Sequence, residues 1–372
     1  MLSFARRIKL ARIQSVRIGI FDPYLDDLGG GEKYMMTIAE CLSKKHGVNV
    51  FWDNKKDIDG LLERFSLDLS RVSITKNIFS SNFGFFKRII ESKKYDVIIL
   101  LSDGSIPFLL SKKTFLHIQQ PLDQIEKKKL KTGIKLLRIT GIFCNSEYTK
   151  SFNKDKFLKL TSVLYPPVSL YSSKTKKENI ILHVGRFRIK NVKGIDDYKK
   201  QNVMINTFKN MVDKGLKDWE FVLAVSIRQE DKKQFDEMKK LGIGYPIKFI
   251  INSPNAALGN IYSKAKIYWH ASGFGENLEE HPEYAEHFGI STVEAMSAGC
   301  VPVVINAGGQ KEIVEDGKNG LLWNSIEEFQ SKTLELTKNE SFLEKLSKQA
   351  IESAKKFSKE RFCLEINNLV LQ

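Results

Sequence analysis

Glu286 and Glu294 are separated by seven residues, HFGISTV, and this is where the chain most plainly offers chemistry. The segment between them runs from a Phe-Gly loop into the start of a helix. The helix continues as VEAMSAG and stops at Gly299, where the apolar strand VPVVI begins. One carboxylate therefore lies in the loop before the helix and the other about two turns inside it. A helix N-terminus offers unpaired N–H groups and a partial positive charge, which suit a phosphate, while the flanking carboxylates accept from neutral hydroxyls.

Other candidates are spread along the chain. Arg186 follows the strand ILHVG, where its side chain projects beyond the strand end. Near the N-terminus, the strand VRIGIF, the loop DPYLDDLGGGEK and the helix YMMTIAECLSKK follow in the order of a phosphate cradle, in which Gly30 and Gly31 permit close backbone approach. A tight turn is the plainer reading of three glycines. His117 in FLHIQQP, by itself, reads as a satisfied structural histidine, and so does His270, which closes the strand IYWHAS. Asp26-Asp27 and Asp196-Asp197 read as turn and loop residues, and no metal site is visible.

The elements that must position these groups alternate. Strand-like runs VRIGIF, VNVFWD, DVIILL, TFLHIQ, IFCNS and SVLYPPV are interleaved with helical segments, and after Pro166 and Pro167 the rhythm restarts with IILHVGRF, WEFVLAV, YPIKFIIN, AKIYWHAS and CVPVVI. This predicts an α/β chain of two Rossmann-like domains with parallel sheets facing a cleft, ligands binding at the carboxyl ends of the strands. The expected division is 1–166, 167–355 and a final helical stretch, 356–372.

Glu-x7-Glu followed by AMSAG, VPVV and GGQKEIV closely resembles the donor-binding signature of the retaining glycosyltransferases of family 4, which have the GT-B fold. The GGGEK loop, NSEYTKSF and VLYPPV are similar to the same family, so the resemblance spans nearly the whole chain. It implies transfer of a hexose-type sugar, with retention, from a UDP- or GDP-sugar to a glycan or lipid-linked acceptor, with no cofactor and no metal. In that family an arginine and a later lysine bind the diphosphate, which assigns Arg186. An insertion, RIKNVKGIDDY, leaves the lysine open: Lys199 lies nine residues before Phe208 and is favoured on that landmark, while Lys193-Gly194 matches the usual Lys-Gly pair more literally.

By the same resemblance, Glu294 takes the ribose hydroxyls, Glu286 takes those of the transferred sugar, and Phe288, Gly289 and Ile290 supply backbone N–H groups. Gly30 and Gly31 belong to the family's glycine-rich first loop, and His117 resembles its histidine beside the donor sugar. The end of the C-terminal helix is implied to cross back to the first domain. The acidic insert ENLEEHPEYAE, 276–286, is consistent with either a pocket wall or a lid.

Composition bounds the rest. The chain has 372 residues, 42% hydrophobic and 28% charged, as expected of a folded chain with two cores. No apolar run approaches the ~20 residues needed to span a bilayer, and MLSFARRIKLARIQ does not read as a secretory signal. Cys41, Cys144, Cys300 and Cys363 form no CxxC pair and are expected to be reduced core or helix residues of a cytoplasmic protein.

Up to Pro166 there are 29 Lys and Arg against 17 Asp and Glu; the remainder has 30 against 27, so the net charge of +15 sits mostly in the first half. The basic amphipathic stretches 84–94 and 123–140 suit an anionic membrane surface, which predicts peripheral attachment to the inner face of the membrane. Helices packed on the sheet with lysines outward are the plainer alternative. A relative that isomerises or phosphorolyses sugars is a second functional reading. A nucleic-acid partner is not expected, since no recognisable module accompanies the charge.

Overall fold

The computed structural model describes residues 15–27, 29–122, 134–152, 160–172, 175–188 and 197–371. The first sheet contains β1 (Arg17–Phe21), β2 (Gly47–Phe51), β3 (Val72–Thr75), β4 (Val97–Leu101), β5 (Lys113–Ile118), β6 (Gly141–Cys144) and β7 (Thr161–Val163), in the order β3-β2-β1-β4-β5-β6-β7. The second contains β8 (Glu178–Arg186), β9 (Glu220–Ser226), β10 (Ile247–Ile251), β11 (Ala265–His270), β12 (Val301–Ile305) and β13 (Leu321–Trp323), ordered β10-β9-β8-β11-β12-β13. Every pairing is parallel.

Parallel strands are covered on both faces, which is why runs such as VIILL and VPVVI are buried at every position. In both sheets the order reverses beside the first strand, between β1 and β4 and between β8 and β11. The crevice at that switch point, beyond the carboxyl ends of the strands, is where a doubly wound sheet takes its ligand. Asp22 and the glycine loop follow β1, Arg186 ends β8 and His270 ends β11.

The last helix, Lys359–Leu371, returns to the first half as expected: Phe362, Ile366 and Val370 share a core with Met35, Ile38 and Leu42 of the helix Gly30–Ser43. Lys359 Nζ also reaches both carboxylate oxygens of Glu40, at 2.6 Å each. This docking overturns one expectation. Cys41 and Cys363 are not reduced thiols but a disulfide between residues 322 apart, their Cα atoms 5.1 Å from each other. The bond forms because the two helices pack side by side at those positions, which spacing in the chain does not reveal. Cys144 and Cys300 are buried thiols outside any disulfide.

The basic stretches divide. Of 123–140, residues 123–133 lie outside those described; beyond them Ile139 is buried, whereas Ile134 and Leu137 are exposed. The helix Phe85–Ser92 carries its apolar side outward, with Phe85, Phe86 and Ile90 exposed by 55%, 78% and 64%. Among the described residues no helix is long and apolar enough to cross a membrane.

Candidate functional site

The second glutamate lies on the helix Ile290–Ser297, which starts just after the Phe-Gly pair, so Glu294 is about one turn inside it and not two. Gly289 precedes it at φ +117°, a conformation L side chains rarely adopt, and a Cβ there would lie 2.6 Å from Gln310 Nε2. Gly299, at φ +82°, closes the other end, with Cys300 N donating to Ala295 O. The GGQ turn packs against the loop before this helix: Gly309 N donates to Glu286 O, and a Cβ on Gly308 would lie 2.3 Å from that oxygen.

Glu286 is the hub. Its Oε2 accepts from Lys199 Nζ at 2.5 Å and from His270 Nε2 at 2.9 Å. Burial pushes this carboxyl up, but Lys199 and His270 more than offset it and hold Glu286 well below the usual carboxylate range. His270 is itself buried, which lowers its pKa against the raising effect of Glu286. His270 is buried at the end of its strand, as a structural histidine would be, and its ring is directed at Glu286.

Of the two candidate lysines, Lys193 lies outside the described residues; Lys199 stands beside Glu286. The acidic insert is packed onto the same turn. Tyr198 donates to Ala285 O at 3.1 Å, and Lys200 pairs with Glu276. Asp197, read as a loop residue, caps the helix Gln201–Asp213 by accepting from the N–H groups of Gln201 and Asn202. Burial pushes its carboxyl up to about 6.

Glu294 accepts from Tyr262 at 3.1 Å and lies 4.0 Å from Lys33 Nζ, which belongs to the GGGEK loop. Burial raises its pKa, and Lys33 and Tyr262 act against that rise.

The glycine loop meets the second half directly. A Cβ on Gly30 would lie 3.2 Å from Ile290 Cδ1, one on Gly29 would lie 3.4 Å from Arg186 Nη1, and one on Gly31 would lie 2.2 Å from Gln119 Oε1. Glu32 Oε2 accepts from Gly29 N at 2.6 Å, holding the loop in place. Gly29 and Gly30 thus meet Arg186 and Ile290 from opposite sides of one cleft, whereas Gly31 packs on Gln119 of its own half. Asp22, just before this loop, is buried with Oδ2 unpartnered, and burial together with Glu32 pushes its carboxyl up to about 8.

Further contacts join the halves. His287 Nδ1 donates to Gln119 O, Tyr148 donates to Pro282 O, and Glu312 accepts from the N–H groups of Glu147 and Tyr148 at 2.8 and 2.6 Å. Glu312 belongs to the GGQKEIV string, but nothing in the sequence alone gives it a role. Asp27, read as a turn residue, stands between Arg186 and Arg228.

His117 is not brought onto the cleft surface. Its ring is fully buried between Tyr34 and Phe143, with centroids at 4.2 and 5.0 Å, and Nδ1 donates to Phe143 O. Burial lowers its pKa to about 3, which leaves a neutral ring whose Nε2 has no partner. Among the described residues no group of three or more histidine, cysteine, aspartate or glutamate side chains is placed to hold a metal ion.

Comparison with known proteins gives one family match: the profile of the "Glycosyl transferases group 1" fits residues 171–357. A Dictyostelium discoideum protein named as a GDP-Man:Man(3)GlcNAc(2)-PP-Dol alpha-1,2-mannosyltransferase is 24% identical over 440 residues, covering 94% of this chain and 83% of its own. A Campylobacter jejuni alpha-1,4-N-acetyl-D-galactosaminyltransferase, named for an undecaprenol-diphosphate-linked substrate, is 26% identical over 355 residues, 88% of this chain and 91% of its own. The crystal structure of Anabaena HepE with UDP and glucose superposes with a TM-score of 0.69 at 18% identity, covering 95% of this chain and 98% of that one, and shares the fold.

Proposed function

The chain belongs to the group 1 glycosyltransferases, the retaining enzymes of family 4, and on that premise we propose that it moves a hexose-type sugar from a UDP- or GDP-sugar to a lipid-linked or growing glycan. The observation that carries this reading is the convergence of Glu286, Lys199, His270 and Arg186 with the start of the helix Ile290–Ser297 and the glycine loop.

Arg186 and Lys199 receive the departing diphosphate, with the N–H groups of Phe288, Gly289 and Ile290 and close approach at Gly30 and Gly31. Glu294 accepts from the ribose hydroxyls. Glu286, ionised and acceptor-only, takes hydroxyls of the transferred sugar, and releasing Lys199 to the diphosphate leaves His270 to orient it. In this reading His117, buried between Tyr34 and Phe143, supports the first-half wall of the sugar site from behind and does not touch the sugar. The acceptor hydroxyl attacks the anomeric carbon on the face the diphosphate leaves: the bond to the acceptor oxygen forms, the bond to phosphate oxygen breaks, and the proton passes to that phosphate oxygen. No metal is required in this scheme.

The acceptor side follows from the basic first half and from Phe85, Phe86 and Ile90, which face outward beside Lys87, Lys93 and Lys94. Such a surface fits an anionic membrane interface and an acceptor held there. The names of the amoebal and bacterial relatives, both lipid-diphosphate-linked, point the same way.

The test is melting temperature with UDP, GDP, ADP and their sugar conjugates, for the native chain and for Arg186→Ala and Glu294→Ala. Ligand at a hundred times its dissociation constant adds about 2.7 kcal/mol, a shift of several degrees. A shift with one nucleotide, abolished in both variants, is expected. No shift with any of them would remove the donor-site reading.

A further inference from the structure

Both cations assigned to the diphosphate already hold a protein carboxylate. Lys199 holds Glu286 and Arg186 holds Asp27, whose Oδ2 lies 3.6 Å from Arg186 Nη1. The other oxygen of Asp27, Oδ1, accepts from Arg228 Nη2 at 2.7 Å. Asp27 comes from the loop after β1, Arg186 from the end of β8 and Arg228 from just beyond β9, so one first-half carboxylate joins two neighbouring strand ends of the second sheet.

Arg186 and Arg228 are about half exposed, 51% and 49%, and Asp27 is 42% exposed. An ion pair so open to water adds little to stability, and its groups remain free to exchange partners. Arg228 also lies 3.7 Å from Glu230 Oε1. The third arginine nearby, Arg188, is committed elsewhere: its Nη1 donates to the carbonyls of Phe187 and Ser226 and faces Asp231 at 3.6 Å.

We propose that Arg228 binds the diphosphate of the donor alongside Arg186 and that Asp27 is a built-in competitor, an aspartate occupying the position between Arg186 and Arg228 that a donor phosphate takes. This inference rests on the donor-site reading above. A carboxylate and a phosphate present the same pair of acceptor oxygens to a guanidinium. Donor binding displaces Asp27 from the two arginines, and its return helps to expel the nucleoside diphosphate after transfer.

Calorimetric titration with UDP and GDP tests this on the full chain, with Arg228→Gln, Asp27→Asn and the double variant, each checked for an unchanged unliganded melting temperature. The expected result is opposite in sign for the two singles. Arg228→Gln weakens binding about tenfold, because a charge-assisted hydrogen bond to the phosphate can no longer form, and Asp27→Asn tightens it severalfold. In the Arg228→Gln background, Asp27→Asn brings a smaller gain, because one of the two arginines it competes for is gone. An interdomain strut would instead make both substitutions weaken binding, and that outcome, or no change in either, overturns the proposal. If the native chain binds neither nucleotide, the donor-site reading fails first, and the two failures are distinct. Arg228→Lys keeps the charge but not the fork, and its partial recovery of affinity distinguishes a missing hydrogen bond from a damaged fold.

Discussion

The two sheets share one topology, yet their carboxyl edges are built differently. At the edge of the second, opposite charges from distant segments meet: Glu286 with Lys199 and His270, and Lys200 with Glu276. At the edge of the first stand three glycines and the buried Asp22 and His117, and its charges, Asp27 and Lys33, are turned to Arg186 and Glu294 of the second half; the helix Phe85–Ser92 carries apolar side chains outward. A preformed network of charges fits a ligand of constant chemistry such as a nucleoside diphosphate sugar. An edge of glycines and buried groups, with its charges already turned toward the second half, asks more of the surface beyond it for any further partner.

Four measurements press on that contrast, starting with the largest expected effect. Glu286→Gln keeps the shape and removes the charge that organises the second edge, and should lower turnover of the preferred donor at least about 100-fold. Retention of more than a tenth of the activity would mean that Lys199 and His270 do not depend on it. Next, removing the disulfide by Cys41→Ser or by reductant should cost about 2–4 kcal/mol. That shows as a melting temperature lower by several degrees with nucleotide affinity unchanged, because the bond lies in the first half and away from the charged edge.

A smaller effect comes from Asp22. The unfolded chain releases this proton near the ordinary value of 3.8 and the folded chain near 8, so between those values the folded state binds more protons and stability falls as pH rises. Asp22→Asn should flatten the decline of melting temperature between pH 5 and 9 by a few degrees. A native profile no steeper than that of the variant would show that Asp22 is not protonated in the fold. Smallest in stability terms is Phe86→Ser, expected to change folding by less than about 0.5 kcal/mol. It should nevertheless reduce sedimentation with anionic vesicles at low salt and leave the nucleotide shift intact. Equal sedimentation of both chains would take the membrane reading away from this helix.

Much of this is legible in sequence because it is local. The strand rhythm, the helix after Phe288-Gly289, its stop at Gly299 and the glycine loop each depend on neighbours a few residues away, where periodicity and φ preference operate. By contrast, the Glu286 partner of His270 is invisible in sequence, because a histidine closing a buried strand looks the same whether or not a carboxylate waits beyond it. Asp27 reads only as part of a turn, since its partners lie 159 and 201 positions along the chain.

The order and type of the elements, the candidate donor motif and the uneven charge were therefore determined by the sequence itself, through short-range propensity and composition. Tertiary structure alone decided that Cys41 meets Cys363, that Glu286 pairs with a lysine 87 residues away, and that Arg186 and Arg228 share Asp27. Those pairings follow from helix packing and from the two sheet edges closing on each other, and no spacing along the chain encodes the distance between two edges.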